Sequence, residues 1–565
     1  MINSTANSQC LWYMPKWLAV ALPLLAAALP SVFVATKISP LYTDLTLVQS
    51  VLTPAYAMPH YPPLYPYFAW AIHKFANAAC GLPPGLSDCG LYSLVFAQQA
   101  LFVMAIFYFA ISCAETMVGR LVAIVPFYLM PVFALVNYGF QTEAIWVSLL
   151  IVMLAACYRI ARHGAVTVHG VVVLALSFTA ALLVRQTTLF VAPVVPLVLG
   201  AIAFIECRVQ LVRAFVIIIV TMVCCVGVAY AINRSVLIAN HIEPRVVWGR
   251  GTIEVIQRIV VKMEHGSEAR PPQSRTTLIP KLQSHAEDPL LRNAIPTIMK
   301  YVDATYDGKG KAMTWGGAHY ALMRLGTQNA AGLPVPVDFG EADQLVNEFC
   351  VLFVTTYPGL WFRYIGSTFD QYLGDITQLP PDKITTLIKE GLLGRAGYLN
   401  LMTANFRSSR GYSALYAIEA WRIADLILMQ SRPLPSISGL PATRMATRPA
   451  VLMAGERSLF QSWYMRLTAS IADWEIIAVL LVLVLWGWIS SRLDMRTCIV
   501  VVATLTAMIV YIFLASALLA HLPRYDMPYE LLLTAAAGYT LAALFRCKLS
   551  AHREYQCDRP AQVCS

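Results

Sequence analysis

Four stretches of this chain set charged or hydroxylated side chains into otherwise apolar sequence, and each carries a chemistry that its residue types allow. In SPLYTDLTLVQSVLTPAYAMPHYPPLYPYF, Asp44 is the sole acid ahead of Asp88. A carboxylate held over a bilayer edge by a loop rich in Pro and aromatic residues can take a proton from an incoming hydroxyl or amine. A solvated surface acid fits the same residue. Glu143, in LVNYGFQTEAIW, follows a turn too short to project away from a helical bundle. It either caps the first helical turn, where the dipole favours negative charge, or faces other helices, since an acid meeting hydrocarbon costs about 2.5 kcal/mol or more. Arg185, in ALLVRQTTLFVAP, either snorkels to lipid headgroups or clamps a phosphate or diphosphate through its planar fork. The turn HLPRYDMPYE packs His521, Arg524, Tyr525, Asp526 and Glu530 into ten residues whose backbone Pro523 and Pro528 restrict, a mixture that suits an anion-binding lip.

Taken together, these groups suit attack by an acceptor on a sugar joined to a lipid phosphate. The acid activates the acceptor, and the cations stabilise charge developing on the departing phosphate. No close pair of aspartates stands at the candidate centre, and Asp44 alone is a poor divalent-cation site, so neither metal nor other cofactor is expected.

The elements that must position these groups are transmembrane helices. Of 565 residues, 58% are hydrophobic and only 13% charged, too few to cover a water-soluble protein of this size. The net charge of +10 does not mark a nucleic-acid partner, because many Lys and Arg lie in short connectors between apolar runs. Ten runs are long enough to span, at 17–36, 91–112, 120–137, 141–157, 166–184, 187–205, 212–231, 472–490, 497–519 and 528–546. The first follows Lys16 and reads as a retained helix rather than a cleaved signal. With both termini in the cytoplasm, the inner connectors receive Arg120, Arg159, Arg162, Arg208, Arg213, Arg492, Arg496, Arg546, Lys548 and Arg553, in agreement with the positive-inside tendency. Every site candidate then falls on the outer side.

The expected fold class is an all-α polytopic membrane bundle with a large mixed extracytoplasmic segment. Its organisation is an N-terminal transmembrane module, 1–231, with an outer loop 37–90; an extracytoplasmic domain, 232–471; a C-terminal transmembrane module, 472–546; and a cytoplasmic tail, 547–565. Within 232–471, EADQLVNEFCVLFVTTYPGLWFRYI starts as an amphipathic helix and is broken at Pro358 and Gly359, as an interfacial or re-entrant element would be. Trp315, His319 and Arg324 are eligible there for acceptor contacts, and packing or exposure explains them equally well. The 13 Cys are too scattered for a disulfide scaffold, but Cys80 and Cys89 bracket the turn GLPPGLSD and suit either a local disulfide or two thiols.

The pattern resembles the integral membrane glycosyltransferases that use polyprenyl-phosphate sugars, the GT-C superfamily, and within it the protein O-mannosyltransferase and lipid A aminoarabinose transferase branch. An acid beyond the first span is followed about 18 residues later by a PPL element, here Asp44 and then Pro62, Pro63 and Leu64. An arginine separates two middle spans, here Arg185, and an RY-x-x-P element precedes a late span, here Arg524, Tyr525 and Pro528. The resemblance implies a GT-C-like bundle in a bacterial inner membrane, with a periplasmic active site. It implies that Asp44 is the catalytic base, that Glu143 is a second acid, and that Arg185 and Arg524 contact the lipid phosphate. Where the family often has Lys before PPL this chain has Tyr61, so that phosphate-binding cation is either missing, replaced by His60 or supplied by His521. Some relatives require a divalent metal. The implied partners are a polyprenyl-phosphate sugar donor, membrane lipids, and an envelope glycan, lipid or protein acceptor.

Two other functions compete. A polysaccharide polymerase or O-antigen ligase moves lipid-linked glycans at the same face, and product analysis separates it from single-sugar transfer. A lipid-linked glycan transporter would place polar groups near midplane and repeat its helices, whereas here the polar signals sit at the outer edge and no repeat is visible.

Overall fold

The computed structural model describes residues 17–35, 45–58, 61–164, 167–206, 209–241, 252–253, 255–256, 259–260, 275–304, 322, 326–328, 334–337, 339–373, 459–518 and 526–545. All ten expected runs contain helix, and the protein is an all-α bundle whose apolar helices suit a polytopic membrane protein. The first part comprises α1 (Leu18–Phe33), α2 (Leu45–Ser50), α3 (Leu64–Ala79), α4 (Asp88–Cys113), α5 (Met117–Tyr128), α6 (Pro131–Leu135), α7 (Glu143–His163), α8 (Val168–Val184), α9 (Thr188–Val191), α10 (Val194–Glu206) and α11 (Val209–Ala239). After it come α12 (Arg275–His285), α13 (Pro289–Ala304), α14 (Phe339–Thr356) and α15 (Pro358–Leu373). The last part is α16 (Leu459–Ala469), α17 (Asp473–Ile489), α18 (Met495–Leu518) and α19 (Met527–Leu544). A two-residue ladder, Thr327–Gln328 with Pro334–Val335, is the strand structure among the described residues.

Local chemistry sets the helix ends. Ser87, Thr116 and Thr167 each accept a hydrogen bond from the backbone N–H three residues on, capping α4, α5 and α8. The last turn of α7 carries Arg162 and His163, and Gly164 follows in the left-handed conformation at φ 63°. Five described helices are long and apolar enough to cross a membrane, and two bent pairs raise the total to seven. The others among the expected runs, α1, α8, α17 and α19, have 16 to 18 residues, at or just below the length of a straight crossing.

The third expected span is not one straight helix. It breaks between α5 and α6 with an 84° bend, because Pro131 lacks an N–H and disfavours helix at Met130. The short segment after the break, Pro131–Tyr138, leaves carbonyls at its end that need donors where water is scarce. Gln98 of α4, fully buried, supplies its amide Nε2 to Asn137 O at 2.9 Å and Gly139 O at 3.0 Å, and Gln99 Nε2 donates to Ala134 O at 3.1 Å. The Tyr65 hydroxyl of α3 donates to Gln98 Oε1 at 2.8 Å and so fixes which way the amide points. Tyr138 and Tyr128 donate to the carbonyls of Ser31 and Ala26 in α1, which closes the break from its other side.

The core of the bundle centres on α7. The Tyr158 ring lies 6.1 Å from Phe109 of α4 and 4.9 Å from Tyr539 of α19, and its hydroxyl bonds Thr504 of α18 at 3.0 Å. Gly538 lets α19 approach α5 closely, since a Cβ there would lie 2.6 Å from Ala123 O. A second apolar core, with Leu282, Ile295, Ile298, Val346, Phe349 and Phe353, joins α12, α13 and α14. The α14–α15 pair bends by 90° at the Tyr357–Pro358 step. Cys80 and Cys89 form a disulfide across the connector from α3 to α4. Trp315, His319 and Arg324 lie outside the described residues.

Candidate active site at one end of the bundle

Helix direction determines which candidates share an end. Gly538 faces Ala123 O and Gly119 faces Ala542 O, so α19 runs opposite to α5, which doubles back from α4 at Ala114. Helix α4 runs with α7, as Phe109 meets Tyr158 and Arg162 donates to Ser112 O, and the contact of Tyr158 with Tyr539 sets α7 and α19 in step along one direction. Glu143 stands 15 residues before Tyr158 and Asp526 13 before Tyr539, which places both about 20 Å back along the same direction. The contact of Phe109 with Tyr158, together with Gln98 bonding Gly139 O, aligns α4 with α7 as well. The opposite end gathers basic residues. Arg162 pairs with Glu115 at 2.7 Å, Arg496 donates to Arg162 O at 3.2 Å, and Arg120 donates to Ala19 O at 3.3 Å.

At the first end, Arg185 follows the last turn of α8, which packs against α7, and its guanidinium Nη1 pairs with Glu143 Oε1. Glu143 also accepts from the Thr142 hydroxyl at 2.9 Å. The Glu143 side chain is 2% exposed and that of Arg185 13%. The face of the guanidinium lies 5.2 Å from the centroid of Trp146, one helical turn into α7. Trp146 is itself held, because its ring N–H donates to Thr188 Oγ1 at 2.8 Å while Thr188 Oγ1 donates to the carbonyls of Arg185 and Ala181. The arginine is therefore fixed at its edge by a carboxylate and at its face by an indole, and does not snorkel freely. Glu143 stands in the first turn of α7 as a capping acid would, and it also carries the ion pair.

A second group occupies the starts of α17 and α19. The Tyr529 hydroxyl donates to Asp473 Oδ2 at 2.5 Å, and Asp473, Asp526, Tyr529 and Glu530 are all buried. Gathering three carboxyl groups where water is scarce costs energy unless donors, protons or cations offset their charge, and Tyr529 supplies one donor. Asp526 and Glu530, two members of the turn expected to form an anion-binding lip, are buried. Asp473 was not anticipated from sequence, although it carries the signal that marked Glu143, an acid opening an apolar run in ASIADWEI.

Of the other expected site residues, Asp44, His60, His521, Arg524 and Tyr525 lie outside the described residues. The helix that follows Asp44, α2, buries Leu47 and Val48 in the main core. Tyr61 is half-buried against that core, its N–H donates to Ala57 O at 3.0 Å, and the PPL element opens α3. The structure thus joins Glu143 and Arg185, and sets Tyr61 in the segment that leads into α3. Among the described residues no cluster of His, Cys, Asp and Glu has the arrangement of a metal site.

No family model matches the chain, and no curated protein matches it. Among solved structures, the crystal structure of ArnT from Cupriavidus metallidurans in the apo state is similar over 94% of this chain and 77% of that one, with 11% identity and a TM-score of 0.28. A likeness of that size carries no argument about fold or chemistry.

Proposed function

We propose that this protein transfers a sugar from a polyprenyl phosphate to an extracytoplasmic acceptor, a glycolipid, polysaccharide or protein. The observation that carries the reading is the immobilised guanidinium of Arg185, at the bundle end opposite Arg120, Arg162 and Arg496. A basic end of this kind belongs in the cytoplasm by the positive-inside tendency, which puts Arg185 and Glu143 on the far face. The Cys80–Cys89 disulfide supports the same orientation, since disulfides persist in oxidising compartments such as the periplasm. A bacterial inner membrane with both termini cytoplasmic fits these features.

Arg185 presents a planar fork of N–H donors already oriented by Glu143 and Trp146, a geometry that matches phosphate oxygens without any search for a rotamer. Glu143, buried and paired, acts in this reading as the residue that orients Arg185 rather than as the base. Asp44 takes the base role. The acceptor oxygen attacks the anomeric carbon, its proton passes to the Asp44 carboxylate, and the anomeric C–O bond breaks with its electron pair leaving on the phosphate. Arg185 and Arg524 stabilise that phosphate, with His60, Tyr61, His521 and Tyr525 lining the donor path. The broken span α5–α6 has a counterpart in transporters, where unwound carbonyls bind cargo. Here Gln98 and Gln99 take those carbonyls, so the break reads as a structural device.

The test incubates purified protein with polyprenyl-phosphate sugars and envelope-derived acceptors and reads products by mass spectrometry. Addition of one sugar, lost in Asp44→Asn and Arg185→Gln, is the expected result. Whole-glycan transfer would reassign the protein to ligase or polymerase chemistry, and counterflow without a covalent product would reject transfer.

A further inference from the structure

The ion pair is flanked along both stretches of chain by neutral polar side chains, each with one oxygen that has no hydrogen-bond partner among the described residues. Gln141 stands two residues before Glu143 and Thr187 two residues after Arg185, so each Cα lies within about 8 Å of its member of the pair. Gln141 Oε1 and Thr187 Oγ1 are buried and meet no hydrogen-bond partner among the described residues. An acceptor or hydroxyl left so is costly, and native structures seldom leave one without a reason. The hydroxyls of Ser112, Ser148 and Thr497 are also unused, but those side chains are buried inside the bundle. Gln141 and Thr187 are instead partly exposed residues, and rotation about side-chain torsions is the means by which these oxygens would reach a ligand. Their backbones are anchored, with Gln141 O accepting from Ala144 N at 3.1 Å and Thr187 O from Phe190 N at 3.0 Å. The two residues are thus uncharged polar neighbours, two positions away along the chain, of the Glu143–Arg185 pair.

We infer that Gln141 and Thr187 read the hydroxyl groups of a carbohydrate ring placed beside Arg185, and so help to select the sugar. This rests on the lipid-phosphate sugar reading above and deepens it. An amide and a hydroxyl can each donate and accept, as ring hydroxyls do, and a site with hydrogen-bonding groups of this kind discriminates strongly against a ligand that lacks their partners.

The experiment uses full-length protein in lipid nanodiscs and measures binding of undecaprenyl phosphate, bare or bearing glucose, mannose, galactose or arabinose. The wild type is expected to bind at least one sugar-bearing lipid more tightly than the bare one. The double variant Gln141→Ala, Thr187→Val is expected to lose about tenfold of that preference while binding bare undecaprenyl phosphate unchanged. Pairing Gln141 with Thr187→Ser keeps the hydroxyl and is expected to keep the preference, and melting temperatures identify any variant that misfolds. Equal weakening of bare and sugar-bearing lipids, an unchanged preference in the double variant, or no preference in the wild type would overturn the inference and leave the lipid-phosphate reading intact. If the wild type binds no lipid phosphate, the transferase reading falls. In that case methyl glycosides of the same sugars decide the inference. Binding weakened by the double variant upholds it, and absence of binding or insensitivity to the double variant rejects it.

Discussion

Arg185 is held by two unlike forces, the charge of Glu143 and the π face of Trp146, and only the first is removed by a conservative change. Glu143→Gln leaves a largely buried cation without its carboxylate, which is expected to cost about 3 kcal/mol or more of stability. In Glu143→Gln, Arg185→Gln the uncompensated charge is gone, so melting temperature should recover towards wild type while sugar transfer stays abolished. Recovery of both would make the pair purely structural. His73 offers a separate test. Burial holds its imidazole below the ordinary histidine range, and its Nε2 accepts from Ser87 N at 3.4 Å beside Gly90, where a Cβ would lie 2.2 Å from the ring. A histidine depressed in the folded state leaves stability intact above its unfolded value of about 6.5 and loses it as pH falls towards the folded value. Melting temperature should therefore fall more between pH 7.5 and 5.5 in the wild type than in His73→Gln, and equal falls would contradict this. Glu143 and Arg185 were each legible in the sequence because a charge interrupts an apolar run. Asp526 and Glu530 were legible as unusual, whereas their burial was not, since the composition of a turn does not reveal which way its acids point.

At the scale of elements, the apolar runs located the helices because one signal, length without charge, dominates in lipid. The break at Pro131 was hidden within a run that stays apolar from 120 to 137, and hydropathy carries no information about the missing N–H. Nor did it expose the remedy, a glutamine pair in α4 serving carbonyls about 35 to 41 residues away. Gln98→Leu removes the donor for Asn137 O and Gly139 O and the acceptor for Tyr65, all in the buried network that supports the chain leading into Glu143. The expected loss is about 2–4 kcal/mol, read from thermal unfolding in detergent. A melting temperature within experimental error of wild type would show that the break is supported in another way.

For the whole molecule, the decisive property is which end faces out of the cytoplasm. Basic side chains gather at the end holding Arg162 and Arg496, and the Cys80–Cys89 bridge belongs to the connector that opens α4 at the other. Cys80 and Cys89 should resist maleimide labelling in intact cells until a reductant is added, and Cys80→Ala, Cys89→Ala should cost about 2–3 kcal/mol of stability through the freed loop. Labelling without reductant, and only after the inner membrane is made permeable, would place that connector in the cytoplasm and invert the arrangement. Positions of Arg and Lys along the chain set the expectation of this sidedness, whereas the meeting of α7 and α8 around an ion pair required knowing which helices are neighbours.

The central claim is that Arg185 receives a lipid phosphate at the outer end of the bundle. A structure of the protein with undecaprenyl phosphate bound tests it most directly. The expected result is a phosphate oxygen about 2.7–2.9 Å from the Arg185 guanidinium, with Glu143 still paired to it. A headgroup bound more than about 10 Å away, beyond the reach of screened charge, would contradict it.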